Sequence, residues 1–359
     1  MTTLSSRNVA HTSDAPATGT LGLAERGLLP DTLVRLGIRL WCADRLRAER
    51  AGGPAAQADR QARLIDSLRH GPVAIEAAAA NAQHYELPTS FFQHCLGPRL
   101  KYSCCHFPTG TESLAEAEDA MLDLYAERAE LADGQHILEL GCGWGSLTLW
   151  MARRYRMARI TAVSNSHSQR LYIEARCREH GLSNVEVLTQ DVNVLALGGG
   201  RYDRCVSIEM FEHVRNHEVL MKRIGGWLRP GGKLFVHIFA HLTLVYPFET
   251  AGADNWMGRH FFTGGLMPAA DTLLVFQQAL AIEQRWFVDG TNYEKTANHW
   301  LARQDRQHDE VMALLQTIHG DRAALWFQRW RMFWMACAEV FGYAGGQEWL
   351  VAHYRFVRR

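Results

Sequence analysis

The sequence predicts an α/β fold built on a doubly wound sheet, and three observations support this prediction. Short apolar runs alternate with amphipathic segments between residues 136 and 239, as expected for parallel strands joined by crossover helices. A glycine-rich turn, residues 141–145, directly follows the first of these runs. Two aromatic-rich stretches interrupt the alternation where strands end, and open α/β sheets bind ligands at that edge.

The composition indicates a balanced chain with a large core. The 359 residues are 47% hydrophobic, which is enough for one large domain or two modest ones. Lys and Arg number 38, as do Asp and Glu, so the net charge is zero and gives no electrostatic reason to bind nucleic acid. The eight cysteines show no C-x-x-C spacing, so we expect no metal site. Without a signal peptide or an apolar run of about 18 residues, the sequence predicts a cytoplasmic protein without stable membrane insertion.

The amino-terminal part of the chain divides into a tail and a helical region. Residues 1–20 are polar and aperiodic, which predicts a disordered tail. Residues 21–112 are predicted to form an N-terminal helical region, with helices expected around 57–69 and over 73–82. Within its first part, four apolar side chains recur at helical spacing: Leu33, Leu36, Leu40 and Trp41.

Residues 113–359 are predicted to form the ligand-binding domain. Ser113 and Glu116 have the spacing of a capping box, which predicts a helix that continues to about residue 131. Helical insertions at about 246–281 and 293–346 are expected to cap the edge of the sheet. The strands predicted for this domain are His136–Leu140, Arg159–Val163, Val185–Thr189, Asp203–Ile208, Lys233–Phe239, Ile282–Val288 and Trp349–Arg355.

The glycine-rich turn is predicted to bind S-adenosylmethionine (SAM). Glycines let the backbone approach a ligand closely, and the turn lies between a predicted strand and a predicted helix. Its G-x-G-x-G spacing differs from the G-x-G-x-x-G of dinucleotide sites. Glu139, just before the turn, would attract the amino group of a methionine moiety but repel a pyrophosphate. The residues expected to bind here are Glu139, Gly141, Cys142, Gly143 and Gly145.

Polar residues after the next two strands fit the remainder of the same cofactor. Ser164 and Asn165 end the second strand, where ribose hydroxyls need hydrogen-bond partners, and Gln169 lies on the helix that follows. Asp191 and Val192 follow the third strand, where a carboxylate and an apolar side chain would border an adenine ring. These residues extend the predicted cofactor site along the sheet edge.

Four blocks of the sequence resemble the cyclopropane-fatty-acid-synthase family of SAM-dependent methyltransferases. They are His84–Pro88, Leu100–Cys105, Glu139–Gly145 and Ile208–Val214, and the longer runs are most similar to the coclaurine N-methyltransferase branch of that family. The resemblance covers about residues 81–359 and implies the Rossmann-like fold of class I SAM methyltransferases. It also implies that Tyr102 and Ser103 lie against the methionine end of SAM.

The resemblance further implies that Glu209, Glu212 and His213 form the catalytic cluster of an amine methyltransferase. The three residues directly follow the fourth predicted strand, so they project from the edge that binds the cofactor. Two carboxylates would attract an ammonium group, and His213 has an ordinary pKa suited to accept its proton. We therefore predict N-methylation of a small aromatic or cyclic amine, with aromatic walls from residues 246–262 and 326–334.

Methylene transfer to unsaturated phospholipid acyl chains is the alternative within the same family. The resemblance implies that such enzymes hold a bicarbonate with a cysteine, a glutamate, a histidine and a tyrosine, for which this chain has Cys104, Glu212, His237 and Tyr293. His241 is a further candidate for the substrate pocket. Other small-molecule methylation and a non-catalytic SAM-fold module also remain open. The expected partner is the amine, and a homodimer is left open.

Overall fold

The computed structural model describes residues 16–75, 87–252 and 255–359. The strands are β1 (His136–Leu140), β2 (Arg159–Ser164), β3 (Val185–Thr189), β4 (Tyr202–Ile208), β5 (Leu228–His241), β6 (Tyr246–Pro247), β7 (Leu266–Met267), β8 (Leu280–Val288) and β9 (Trp349–Arg358). The helices are α1 (Gly19–Glu25), α2 (Asp31–Glu49), α3 (Gly53–Leu68), α4 (Thr89–Cys95), α5 (Leu114–Ala129), α6 (Ser146–Arg154), α7 (His167–Glu179), α8 (His217–Trp227), α9 (Trp256–His260), α10 (Thr291–Arg306), α11 (His308–His319) and α12 (Ala323–Phe341).

Within the described residues, seven strands form one sheet in the order β3-β2-β1-β4-β5-β9-β8. The chain runs outward from β1 through β2 to β3, and then starts again on the other side with β4 and β5. This reversal leaves a crevice at the carboxyl ends of β1 and β4, the position where doubly wound sheets bind ligands. The predicted doubly wound fold is confirmed, and all seven predicted strands are present.

The direction of β9 differs from the parallel sheet that the strand and helix alternation predicts. Strands β1 to β5 pair in parallel, whereas β9 pairs antiparallel with both β5 and β8. The reason is the connection from β8, which passes through α10, α11 and α12 and returns at the edge where β8 ended. A strand that starts at this edge must run in the opposite direction.

Helices cover both faces of the sheet, so each face has its own hydrophobic core. One core includes buried side chains of α5, α6 and α7, such as Met121, Met151 and Ile173. The other includes buried side chains of α8, such as Leu220 and Ile224. Burial of such side chains, at about 25 cal/mol per Å² of apolar surface, is the main force that holds the layers together.

Local sequence explains where the elements nearest the crevice begin. The predicted capping box starts α5, because the Glu116 carboxylate accepts from the Ser113 backbone N–H at 2.8 Å while the Ser113 hydroxyl accepts from the Glu116 backbone N–H. Gly145 caps α6 with φ +79°, and a Cβ there would lie 2.7 Å from the Ile173 side chain. A larger residue would therefore push α6 away from α7.

The N-terminal helical region packs on the domain that follows it. Helices α1 and α2 contact α12, and α3 contributes Ile65 to the core on the face of α8. Of the predicted disordered tail 1–20, residues 1–15 lie outside the described part, and α1 already begins at Gly19. The predicted helix 73–82 also lies outside it except for 73–75, which are not helical.

No helix in the described ranges is long and apolar enough to span a membrane.

Candidate active site

The glycine-rich turn joins β1 to α6 and lies in the crevice at the carboxyl ends of β1 and β4. Gly141, Gly143 and Gly145 all have positive φ values, of 79°, 51° and 79°. A Cβ on Gly141 would lie 2.8 Å from the Met210 side chain, so glycine is needed both for the turn and for the space. Gly141, Cys142 and Gly143 line a cavity of about 60 Å³ together with Tyr102 and Ser103, which were predicted to lie there.

Glu139 is a buried carboxylate at the end of this cavity. Its side chain accepts a 2.5 Å hydrogen bond from the Thr148 hydroxyl, and the residue is 2% exposed. Burial raises the pKa of Glu139 to about 8. A cationic amino group bound beside it would restore the ionised form, which fits the predicted contact with a methionine moiety.

Polar groups at the ends of β2 and β3 line a second cavity of about 110 Å³. Ser164, Asn165, Gln169, Asp191 and Val192 all belong to it, as predicted. The Ser164 hydroxyl donates to the Gln169 side-chain oxygen at 2.6 Å, which fixes the orientation of that amide.

Three buried polar atoms of residues that line these cavities have no hydrogen-bond partner among the described residues: Gln169 Nε2, Ser146 Oγ and Trp144 Nε1. Gln169 is 1% exposed, so its amide nitrogen has no ready access to water. Leaving a buried donor unsatisfied costs about 1–3 kcal/mol, so such atoms mark places for ligand groups. The glycine turn, Glu139 and these atoms fit a molecule that has an amino acid at one end and a nucleoside at the other.

Glu209 lies where the two cofactor cavities meet a third and larger one. It directly follows β4 and has φ +45°, a left-handed conformation that is strained for a glutamate. Its side chain is 8% exposed and borders all three cavities. A strained residue persists only where the surrounding structure holds it in place, and such residues cluster at functional sites.

The Glu209 carboxylate is held by three of the groups predicted to bind bicarbonate. Oε1 accepts from the Cys104 backbone N–H at 3.0 Å and lies 3.0 Å from His237 Nε2. Oε2 accepts from the Tyr293 hydroxyl at 2.7 Å. The fourth predicted group, Glu212, borders the large cavity. The structure therefore brings Cys104, His237 and Tyr293 together around a carboxylate of the chain itself.

Glu212 and His213 lie on the short 3-10 turn that follows Glu209, and both are affected by burial. Burial raises the pKa of Glu212 well above its usual range, with the neighbouring Glu209 charge acting in the same direction. Glu212 Oε2 has no hydrogen-bond partner among the described residues. Burial lowers the pKa of His213 to about 4, so the ordinary value assumed from the sequence does not apply. His213 is a neutral imidazole at pH 7.

His241 lies apart from these residues, against the substrate-pocket prediction. Its Nδ1 accepts from the backbone N–H groups of Thr243 and Leu244 at 3.0 and 2.9 Å, and its Nε2 lies 3.2 Å from Glu348. These contacts shape the loop after β5. The side chain is fully buried there and borders none of the three cavities.

Lys101 is a charged residue of the site that the sequence did not single out. It is 2% exposed, and its ammonium group donates to the Ser103 hydroxyl at 2.6 Å and to the Cys104 carbonyl at 2.5 Å. Its charge lowers the pKa of Glu209 against the effect of burial. The sequence did contain a signal for this role, because the lysine lies inside the motif 100–105. A lysine buried with that motif would need partners in the site, since a buried ammonium group is rarely found without one.

The large cavity has a volume of about 400 Å³ and is mainly apolar. Glu209, Glu212 and His213 border it beside the cofactor crevice. Of the two predicted aromatic walls, residues 246–262 contribute Tyr246, Phe248, Trp256 and Phe262, whereas in 326–334 Phe333 borders the cavity and Trp330 and Trp334 lie in the core. Helices α1 and α2 form much of the remaining wall, a role that the sequence did not reveal; their lining residues include Leu21, Leu33, Ile38 and Trp41.

Two buried carboxylates fasten the N-terminal helices to the rest of the cavity wall. Glu25 of α1 accepts from Arg329 Nε at 2.9 Å and from Trp256 Nε1 at 2.8 Å. Glu339 of α12 accepts from Arg35 at 2.7 Å and also from Arg39. Breaking a buried ion pair from one side typically costs about 3–5 kcal/mol, a figure that applies to Glu25 with Arg329, which are both buried. Arg35 and Arg39 are 22% and 58% exposed, so the Glu339 contacts stabilise the wall less.

The cofactor crevice and the fold together define the class of the protein. A dinucleotide would place its pyrophosphate near the turn, beside the Glu139 carboxylate, whereas SAM places a cationic amino group there. The doubly wound sheet with an antiparallel strand beside β5 is matched by solved structures of SAM methyltransferases. The chain is therefore a class I SAM-dependent methyltransferase.

The chain belongs to the mycolic acid cyclopropane synthetase family, whose model matches residues 74–347. It is 37% identical to an (S)-coclaurine N-methyltransferase of Thalictrum flavum subsp. glaucum, over 93% of this chain and 94% of that protein. A crystal structure of a coclaurine N-methyltransferase bound to N-methylheliamine and SAH matches with a TM-score of 0.89 and 37% identity, over 93% of this chain and 97% of that one. The cyclopropane-fatty-acyl-phospholipid synthase of Escherichia coli K12 is 28% identical, over 77% of this chain and 67% of that protein.

Proposed function

We propose that the protein transfers the methyl group of SAM to the nitrogen of a small cyclic amine that carries an aromatic ring, as in a tetrahydroisoquinoline. The observation that carries this proposal is the position of Glu209, which borders both cofactor cavities and the large cavity of about 400 Å³, the proposed acceptor cavity. A carboxylate at this junction draws a cationic nitrogen to the place where the methyl group is presented. The likeness to coclaurine N-methyltransferases along nearly the whole chain supports it.

Aromatic side chains and two acidic side chains recognise the proposed amine. Rings such as Tyr246, Phe248 and Phe262 border the acceptor cavity and would stack on an aromatic substrate. Their faces also attract a cationic nitrogen. Glu212 presents an unpartnered carboxyl oxygen in the described structure, and a bound ammonium group would favour its ionised form.

His213 is the proposed acceptor of the amine proton. An ammonium group has no lone pair, so it must lose a proton before its nitrogen can bond to carbon. His213 is neutral and borders both the acceptor cavity and a cofactor cavity, and the adjacent Glu209 charge favours its protonated form. When bound, SAM supplies a methyl group whose bond to sulfur breaks as the nitrogen lone pair bonds to the carbon, leaving a thioether. Glu209 and Glu212 then balance the charge that remains on nitrogen.

The hydrogen bonds that the Glu209 carboxylate already makes argue against methylene transfer to phospholipid acyl chains. That reaction would need bicarbonate among Cys104, His237 and Tyr293. The Cys104 backbone N–H, the His237 ring and the Tyr293 hydroxyl already contact the Glu209 carboxylate. A bicarbonate there would have to displace Glu209, with the two anions repelling each other.

The proposed location is the cytoplasm, and the proposed partner is the amine. All eight cysteines are unpaired, which agrees with a reducing compartment. Sedimentation velocity of the purified chain tests whether a homodimer forms.

The experiment that tests the function is an incubation with methyl-labelled SAM and two sets of acceptors. One set contains secondary cyclic amines, including tetrahydroisoquinoline and a derivative with a second aromatic ring, and the other contains vesicles of unsaturated phospholipid. We expect label on the amine nitrogen and none on the lipid. Label on acyl chains alone would overturn the proposal. The variant Glu209→Gln is the control, because it should bind SAM and yet transfer little label to the amine.

A further inference from the structure

A chain of hydrogen bonds leads from Glu209 through the sheet to the far end of α5. His237 Nε2 lies 3.0 Å from Glu209 Oε1, and His237 Nδ1 lies 2.8 Å from His353 Nε2. His353 Nδ1 lies 2.7 Å from Arg128 Nη1. The two histidines are directly opposite each other on β5 and β9, and both are fully buried. Arg128 is half-buried and stacks over the Trp286 ring at 5.1 Å.

The donor at the outer end determines the direction of every bond in this chain. A guanidinium group can only donate, so His353 Nδ1 must accept and the proton of His353 must be on Nε2. That proton is donated to His237 Nδ1, which places the proton of His237 on its own Nε2, facing Glu209. The Tyr125 hydroxyl also lies 3.0 Å from His237 Nδ1, and because a hydroxyl group can donate or accept, it is compatible with either ring tautomer.

The surroundings keep both histidines neutral, as this arrangement requires. Burial lowers the pKa of His237 and His353 well below the usual range, and the charges of Lys101 and Arg128 act in the same direction. Besides His237, the titratable groups that face Glu209 in the described residues are Lys101, Cys104, Cys105, Tyr125, Glu212, His213, Tyr293 and Cys337. Those that face the two histidines are Tyr125, Arg128, Lys101 and His106.

We propose that Arg128 and His353 are positioning residues, which orient the His237 ring proton toward Glu209 and thereby favour the carboxylate form that receives the amine. The inference rests on the proposed function for its effect on amine binding. It adds to the site two residues that border none of the three cavities. An apolar pair would fill the positions of His237 and His353 without the cost of burying two imidazoles. A chain of hydrogen-bond donors that ends at Glu209 explains why both positions carry an imidazole ring.

Removing the donor at the outer end allows the chain to reverse. Without Arg128, His353 can carry its proton on Nδ1 and accept with Nε2, so His237 can donate outward from Nδ1. His237 Nε2 then faces Glu209 as an acceptor and favours a protonated carboxyl group. Because an uncharged Glu209 attracts an ammonium group poorly, the acidic limb of the pH profile for kcat/KM should move to higher pH.

The test compares four proteins: wild type, Arg128→Met, Arg128→Lys and Arg204→Met. Methionine keeps contact with Trp286 but cannot donate, whereas lysine is a donor without an acceptor and should restore the wild-type behaviour. Arg204 is the matched control, since it is a half-buried arginine near the end of α5 that bonds to the Ala129 and Glu130 carbonyls instead. Arg128→Leu, which likewise cannot donate, serves as a second variant if Arg128→Met does not fold.

Two measurements are made on each protein. Nitrogen NMR of histidine-labelled protein, recorded without amine, reports which ring nitrogen of His237 and His353 carries the proton. We expect protonated Nε2 in wild type, Arg128→Lys and Arg204→Met, and a change in Arg128→Met. The second measurement is the pH profile of kcat/KM for the amine, in which Arg128→Met should move the acidic limb upward by about one pH unit.

The outcomes separate this inference from the proposed function. Unchanged ring protonation in Arg128→Met overturns the inference whatever the substrate is. Changed ring protonation with no amine methylation by wild type leaves the positioning role intact and overturns the proposed function. Equal losses of activity in Arg128→Met and Arg204→Met, with the same pH profile as wild type, would show a merely structural role.

Discussion

The cofactor crevice and the acceptor cavity meet at Glu209, yet they are assembled from different kinds of segment. The crevice is built mainly of loops that follow β1, β2, β3 and β4, each attached to a strand of the central sheet, and residues 100–103 complete its lining. The cavity combines α1 and α2 with the insertion after β5 and with α10 and α12, which are distant in sequence. A site on strand ends is positioned by the sheet itself, whereas the cavity depends on how distant helices pack together. We therefore expect substitutions in the two regions to affect different kinetic quantities.

The largest effect is expected where the two regions meet. His213→Ala should lower kcat by about 10²- to 10⁴-fold, the usual contribution of a positioned acid or base, and leave the Kd for SAM nearly unchanged. Steady-state kinetics and calorimetry measure the two quantities. His308→Ala, which changes an exposed histidine, is the control. Loss of SAM binding with unchanged turnover per bound SAM would contradict the proposed role of His213.

A substitution inside the crevice should affect SAM first. Gly141→Ala places a Cβ 2.8 Å from Met210, in the space bordered by the cofactor cavities, and should weaken SAM binding by about 10- to 100-fold. Gly134→Ala is a matched control, because Gly134 has nearly the same φ, 78° against 79°, and open space around it. Both variants carry the same backbone strain, so calorimetry isolates the steric effect. Equal SAM affinity in the two would refute the close packing at the turn.

Binding of SAM should depend on pH through Glu139. Because burial raises the pKa of Glu139 to about 8, a bound cationic amino group must displace a proton below that pH. We expect the Kd to fall about tenfold for each pH unit between 6 and 8 and then to level off. In the free protein the same raised pKa stabilises the fold at acidic pH, and this stabilisation is lost as the pH rises through about 8.

Calorimetry of wild type and Glu139→Gln tests this dependence. The variant should bind SAM more weakly at pH 8 but with little change from pH 6 upward. A pH-independent Kd in wild type over this range would show that Glu139 does not meet the amino group.

The smallest effect is expected in the wall that the N-terminal helices supply. Trp41→Ala should raise KM for an aromatic amine by about 2- to 10-fold, the usual worth of one aromatic contact, with kcat and SAM affinity unchanged. Leu40→Ala is the control, since Leu40 is the next residue on α2, is 59% exposed and does not border the cavity. A change in SAM affinity in Trp41→Ala would mean that the two regions are less separate than their construction suggests.

The same difference explains how much of the site could be predicted from sequence. Gly141, Ser164 and Asp191 each follow a strand that its apolar pattern reveals, so their meeting at one edge could be inferred without coordinates. The helical spacing of apolar residues such as Leu33 and Trp41 predicted α2, but it did not predict that this helix borders the cavity. Packing between distant helices depends on side-chain fit, and no local pattern encodes it.

Two other features were hidden from sequence for physical reasons. The pairing of His237 with His353 depends on the register of β5 against β9, and the antiparallel direction of β9 could not be inferred from its apolar pattern. The lowered pKa of His213 arises from burial inside the assembled cavity, whereas its residue type suggested an ordinary value. Both features are products of tertiary structure.

The place of β9 in the sheet also bears on how the protein folds. β9 follows all the other elements in the chain, yet it lies between β5 and β8 and pairs with both. Until it inserts, β5 and β8 have open edges, and His237 lacks the neighbour that orients it. Pairings between residues so far apart in sequence form slowly, because a long loop must close first. During synthesis, the strand ends that bind SAM are complete long before β9 appears, so competence for chemistry should be the last property that the growing chain acquires.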